Sequence, residues 1–109
     1  MSLDQLPPQI FKHWVESRED KDNTPNVSVF RPSDYKFPPS RGRRGFEIRK
    51  NGDFILHEIG GTDRPVQTVG KFTVEGPNKI RVDQVGSRHF TLRIVSIEDN
   101  GNILRVETS

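Results

Sequence analysis

The sequence predicts an all-β fold, a small eight-stranded antiparallel up-and-down barrel, on three observations. Clusters of Asn, Gly, Asp and Pro cut the chain at nearly regular intervals. The pieces between them are short and rich in β-branched and aromatic residues, with seven Phe, one Trp and one Tyr in a chain that is only 30% hydrophobic. No segment sustains an apolar period of 3.6. A length of 109 residues suits one core, which the pattern places in a single barrel domain over 10–109, after an N-terminal extension over 1–9.

The strands expected from this pattern are Ile10 to Ser17, Val27 to Arg31, Gly45 to Arg49, Asp53 to Ile59, Val66 to Val74, Lys79 to Asp83, Arg88 to Ile97 and Asn102 to Glu107. Asp4 to Phe11 has the makings of a helical turn that plugs one end of the sheet, and Trp14 suits a barrel floor. Short links through most of the chain imply an antiparallel meander, and eight strands are enough to close it and remove exposed edges.

Register is readable at two turns. A three-residue Lys50-Asn51-Gly52 loop with Gly52 left-handed sets Ile48 opposite Phe54 and Phe46 opposite Leu56, giving one apolar face, whereas a two-residue turn would mix that face with Glu47 and Arg49. A three-residue Asp99-Asn100-Gly101 loop likewise pairs Ile94 with Val106, although Val95, Ile97 and Ile103 run against that parity. The expected core is Trp14, Val27, Val29, Phe46, Ile48, Phe54, Leu56, Phe72, Val74, Ile80, Val82, Phe90, Leu92, Ile94, Leu104 and Val106.

Composition narrows the function classes. With no cysteine, the chain has no disulfide framework, thiolate metal site or cysteine nucleophile. No apolar run approaches the roughly 18 residues of a membrane span, and Met1 to Phe11 lacks the apolar stretch of a signal peptide, so a cytoplasmic location without membrane association is expected. No Ser lies in a Gly-x-Ser-x-Gly elbow, and the paired acids Glu19-Asp20 and Glu98-Asp99 fall in turns without an enclosing apolar context, so no catalytic residue is assigned and the chain reads as a binding protein, not an enzyme. His13, His57 and His89 stand at no metal-ligand spacing, which leaves no metal or other cofactor to expect from the spacing pattern.

Two segments combine length, rigidity and polar tips. Residues 31–50 carry seven basic residues against two acidic ones, a local charge of +5 in a chain of net +2, with Arg41, Arg43 and Arg44 at the tip of a loop stiffened by Pro32, Pro38 and Pro39. Such a patch can meet phosphates, but it has few exposed aromatics and no following helix, so nucleic acid is the least favoured partner. The second segment is Gly60-Gly61-Thr62-Asp63-Arg64-Pro65, in which paired glycines permit unusual backbone conformations and Pro65 limits freedom at the far side. The competing reading of both is a plain solvated connection.

The runs Trp14-Val15-Glu16-Ser17, Phe30-Arg31-Pro32, Phe37 to Glu47 and Ile59 to Arg64 resemble a set of small bacterial proteins expected to be lipocalin-like, a likeness that implies a fold and no activity. Over a shorter stretch, Gly61-Thr62-Asp63-Arg64-Pro65 is similar to the reactive loop of the staphostatins, lipocalin-like barrels that inhibit papain-like cysteine proteases. That resemblance implies a protein-binding loop in which Gly61 occupies the primary specificity site, Thr62 follows the uncleaved bond, and Arg64 and Pro65 fix the exit. Asp63 stands where that family has serine, and the loop joins the fourth and fifth predicted strands instead of lying near the C-terminus. The sequence therefore carries cysteine-protease inhibition as its first expectation and a small apolar ligand held in the barrel as the alternative.

Overall fold

The computed structural model describes residues 5–17, 20, 23–38, 43–59, 65–86 and 88–108. Among these, strands β1 (His13–Glu16), β2 (Val27–Pro32), β3 (Gly45–Ile48), β4 (Asp53–Ile59), β5 (Pro65–Gly76), β6 (Lys79–Val85), β7 (Arg88–Glu98) and β8 (Ile103–Thr108) form a closed antiparallel barrel. No helix of the described residues is long and apolar enough to cross a membrane.

From β3 to β8 the barrel is the expected meander. The first two strands depart from a simple up-and-down order, because β1 lies between β2 and β3, and β2 closes the barrel against β8. Strands β2 and β3 both run antiparallel to β1, so they run in the same direction, and the chain between Pro32 and Gly45 must return along the barrel instead of making a hairpin. That is what the length and proline content of this connection allow.

The β3–β4 hairpin has the expected register, with Phe46 opposite Leu56 and Ile48 opposite Phe54. Gly52 has a φ of 96°, a left-handed conformation that costs glycine least. Asn51 accepts a bond from the Asp53 amide at 3.0 Å, fixing the turn locally. At β7–β8, Ile94 does pair with Val106, but the link has four residues, Asp99 to Asn102, not three. A bulge between Ile94 and Ser96 absorbs the extra residue. Ile97 thereby turns inward to pack on the core while Val95 is left exposed, which resolves the conflicting parity of these positions. Asp99, Asn100 and Gly101 all have positive φ, and these are the residue types that tolerate it.

Two further expectations are corrected. Ile10 belongs to a 3-10 turn, Pro8–Ile10, and the first strand begins only at His13. Val29 is buried as expected and Val27 only partly, but neither faces the barrel interior. Ser28 and Phe30 do, since they pair with Val106 and Leu104 of the inward row of β8. Val29 is 2% exposed yet pairs with Arg105 and stands apart from the interior cluster. Neighbouring strands set this parity, and a shift of one residue exchanges the faces.

The interior is one continuous hydrophobic cluster. At the floor, Leu6 and Ile10 come in from the N-terminal turn and pack with Trp14, Ile48, Val74, Ile80, Ile94 and Leu104. Leu6, ahead of the predicted domain start, is thus part of the core. Trp14 is 0% exposed, donates its indole N–H to the Ile10 carbonyl at 3.0 Å, and lies 5.0 Å from the Lys12 ammonium. The same ammonium reaches the Gly101 carbonyl at 3.3 Å, tying the plug to the β7–β8 link.

Candidate functional site

The opposite end of the barrel carries an open cavity. Here β1 ends at Glu16, β2 begins at Val27, β3 begins at Gly45, β4 ends at Ile59 and β8 ends at Thr108, and a cavity of about 270 Å³ opens between them. Four phenylalanines make a continuous wall. Phe30 meets Phe46 edge to face at 4.8 Å, Phe46 stacks on Phe54 at 5.4 Å, and Phe54 meets Phe90 edge to face at 5.7 Å. Leu56, Leu92 and Val106 complete the apolar lining, while Glu16, Ser28, Arg44, Glu58 and Thr108 supply polar groups. Leu56 and Phe90, both expected in the core, are only partly buried because they border this space.

A second constellation lies on the outer face. Cross-strand partners share a face, so His13 of β1 stands beside Glu47 of β3, and His57 of β4, the partner of Gly45, lies diagonally from Glu47. The His13 and His57 rings stack with centroids 4.2 Å apart and planes 24° from parallel. One donor atom from each of His13, Glu47 and His57 lies within 4.8 Å of the others. The Nε2 of His57 is buried and without a hydrogen-bond partner. Burial pushes the His57 imidazole below its ordinary pKa, and His13 adds to this, while Glu47 opposes it. Arg49 donates from Nε to Glu47 at 2.7 Å and holds that carboxylate in place.

The hairpin register expected from sequence already places Glu47 near His57. The arrival of His13 could not be read, because it depends on β1 inserting between β2 and β3, a long-range pairing that no local spacing encodes. His89 is exposed on β7, away from this group.

Of the loop residues singled out in the sequence, Gly60, Gly61, Thr62, Asp63 and Arg64 lie outside the described residues, as does Arg41. Pro65 opens β5 as the cross-strand partner of Ile59, so both ends of the loop leave from one rung of the sheet. Arg43 is drawn into the protein, donating to the Glu16 carbonyl at 3.3 Å and the Pro38 carbonyl at 3.0 Å, with its guanidinium 4.7 Å from the Phe37 ring. Arg44 sits 3.6 Å from Glu16 at the mouth and is 69% exposed. Arg31 bonds Asp20 at 2.6 Å, and this bond, followed by the Ser17 hydroxyl, holds the Asp20 carboxyl below its ordinary range. The basic segment thus spends much of its charge on internal contacts.

No family model, curated protein or solved structure matches the chain.

Proposed function

We propose that the protein is a non-enzymatic binding protein that takes up a small, largely apolar ligand at the open end of its barrel. The observation that carries this reading is the open cavity at the barrel mouth, lined by Phe30, Phe46, Phe54 and Phe90. A cavity of about 270 Å³ exceeds the roughly 150 Å³ that holds benzene and lies just below the range of about 300–1,000 Å³ usual for drug-sized molecules. The matching ligand has one or two rings, or a short acyl chain, with a polar group left at the rim beside Arg44 and Ser28. Calorimetric titration with phenyl, naphthyl and larger polycyclic compounds tests it. Affinity rises to the two-ring size and falls beyond it, and Ser28→Phe, which fills the mouth, removes binding. Equal, weak responses to all sizes, unaffected by Ser28→Phe, would refute the reading.

Inhibition of a papain-like cysteine protease by the Gly60 to Pro65 loop is a second proposal. It rests on the sequence likeness and on the pairing of Ile59 with Pro65, which anchors both loop ends on a rigid sheet. Its test is Gly61→Ala, which abolishes inhibition or makes the loop cleavable, because the added methyl narrows the backbone freedom such a loop needs. Inhibition of no protease by the unaltered protein at micromolar concentration would end it.

A further inference from the structure

We propose that His13, Glu47 and His57 form a binding site for a divalent transition metal of the zinc type on the outer face of the barrel. The site is separate from the mouth cavity and stands or falls independently of it.

Three features support it. First, the donors come from three neighbouring strands, β1, β3 and β4, whose pairing fixes the backbone, so no loop has to be ordered when the ion arrives. Their donor atoms fall within 4.8 Å of one another. Ligands about 2.0–2.2 Å from a common tetrahedral ion lie roughly 3.3 Å apart. Closing that difference asks the donor atoms to approach by about 1.5 Å at most.

Second, the Nε2 of His57 is buried without a hydrogen-bond partner. A buried polar nitrogen left unpaired is costly, and most buried polar groups in folded proteins have a partner. An ion shared with His13 and Glu47 supplies one. Third, the carboxylate is already oriented. Arg49 holds Oε2 of Glu47 at 2.7 Å, leaving the other oxygen for the ion, which is the usual job of a group placed behind a metal ligand.

Two imidazoles and one carboxylate form a nitrogen-rich set that suits Zn²⁺, Co²⁺, Ni²⁺ or Cu²⁺ and disfavours Mg²⁺ and Ca²⁺, which seek all-oxygen shells. Three protein ligands also leave one position of a tetrahedral ion open. That position suits a water molecule or an anionic group of a bound molecule.

The test is titration of Zn²⁺ into the full-length, tag-free protein after chelator treatment, read by calorimetry, with Co²⁺ absorption as a second measurement. Zn²⁺ is expected to bind one to one with a Kd of about 10 μM or tighter, and Co²⁺ to give the intense visible bands of a four-coordinate ion. His57→Ala and His13→Ala each weaken Zn²⁺ binding by about a hundredfold or more, Glu47→Gln by about tenfold or more, and His89→Ala leaves it unchanged. Circular dichroism establishes that each variant is folded. The proposal is overturned if the unaltered protein binds no Zn²⁺ below about 100 μM, or if His89→Ala weakens binding while the other variants do not.

Discussion

Trp14 hangs from Ile10: its indole N–H donates to the Ile10 carbonyl at 3.0 Å, and both side chains are fully buried in the barrel floor. The first strand and the turn that plugs the barrel are therefore one unit. Trp14→Ala should destabilise the protein by about 3–5 kcal/mol through the cavity it leaves. Trp14→Phe, which keeps most of the volume and loses the indole bond while the Ile10 carbonyl still accepts from the Lys12 amide at 2.9 Å, should cost less, about 0.5–1.5 kcal/mol. Urea denaturation followed by circular dichroism measures both.

At Gly45, β3 passes so close to β1 that a Cβ there would press on the backbone carbonyl of Trp14. Gly70 is similar, with a Cβ only 2.7 Å from the Asp83 carbonyl and 2.5 Å from a Val85 methyl. Gly76 has open space around it. Gly45→Ala and Gly70→Ala should each destabilise by about 2 kcal/mol or more, and Gly76→Ala by less than about 0.5 kcal/mol. Comparable melting temperatures for all three variants would show that the strand approach is looser than described.

The lowered pKa of His57 ties stability to pH in a definite direction. In the window between its folded and unfolded pKa values the unfolded chain binds the extra proton, so stability rises with pH there. This contribution is complete above the unfolded value, about 6.5, and is lost as pH falls through the lower folded value. In chelator-treated protein, denaturation at pH 7.5 and pH 5.5 should show a loss of stability on acidification that His57→Phe reduces. The lowered carboxyls Asp20 and Asp53 act in the same direction, but below about pH 4, so they leave this window clear. An identical pH dependence in His57→Phe would contradict the assignment.

Much of this architecture was readable because local chemistry fixed it. Asn51-Gly52 set the β3–β4 register and, with it, the inward row Phe46, Ile48, Phe54 and Leu56. What was not readable depended on partners distant in the chain. Val27 and Val29 alternate as a core strand should, yet pairing of Phe30 with Glu16 and Leu104 puts the larger side chain inside. The four-residue link after Glu98 required a bulge at Val95, which no turn signal announced. The stacking of His13 on His57 follows from the insertion of β1 beside β3. The aromatic character of the mouth was visible residue by residue, but its cavity was not, because that depends on how strands distant in the chain close around it.

A ligand in the mouth must touch one half of the interior and spare the other, and methyl-resolved NMR reads this residue by residue. During titration with a two-ring aromatic compound, the methyls of Leu56, Leu92 and Val106 should shift and saturate together with a Kd below about 100 μM, a range ordinary for a small ligand of few atoms. Those of Ile48, Ile80 and Leu104 in the floor should stay in place, and Ser28→Phe should abolish the response. Shifts that fail to saturate, or that spread equally over both halves, would contradict a binding cavity at the barrel mouth.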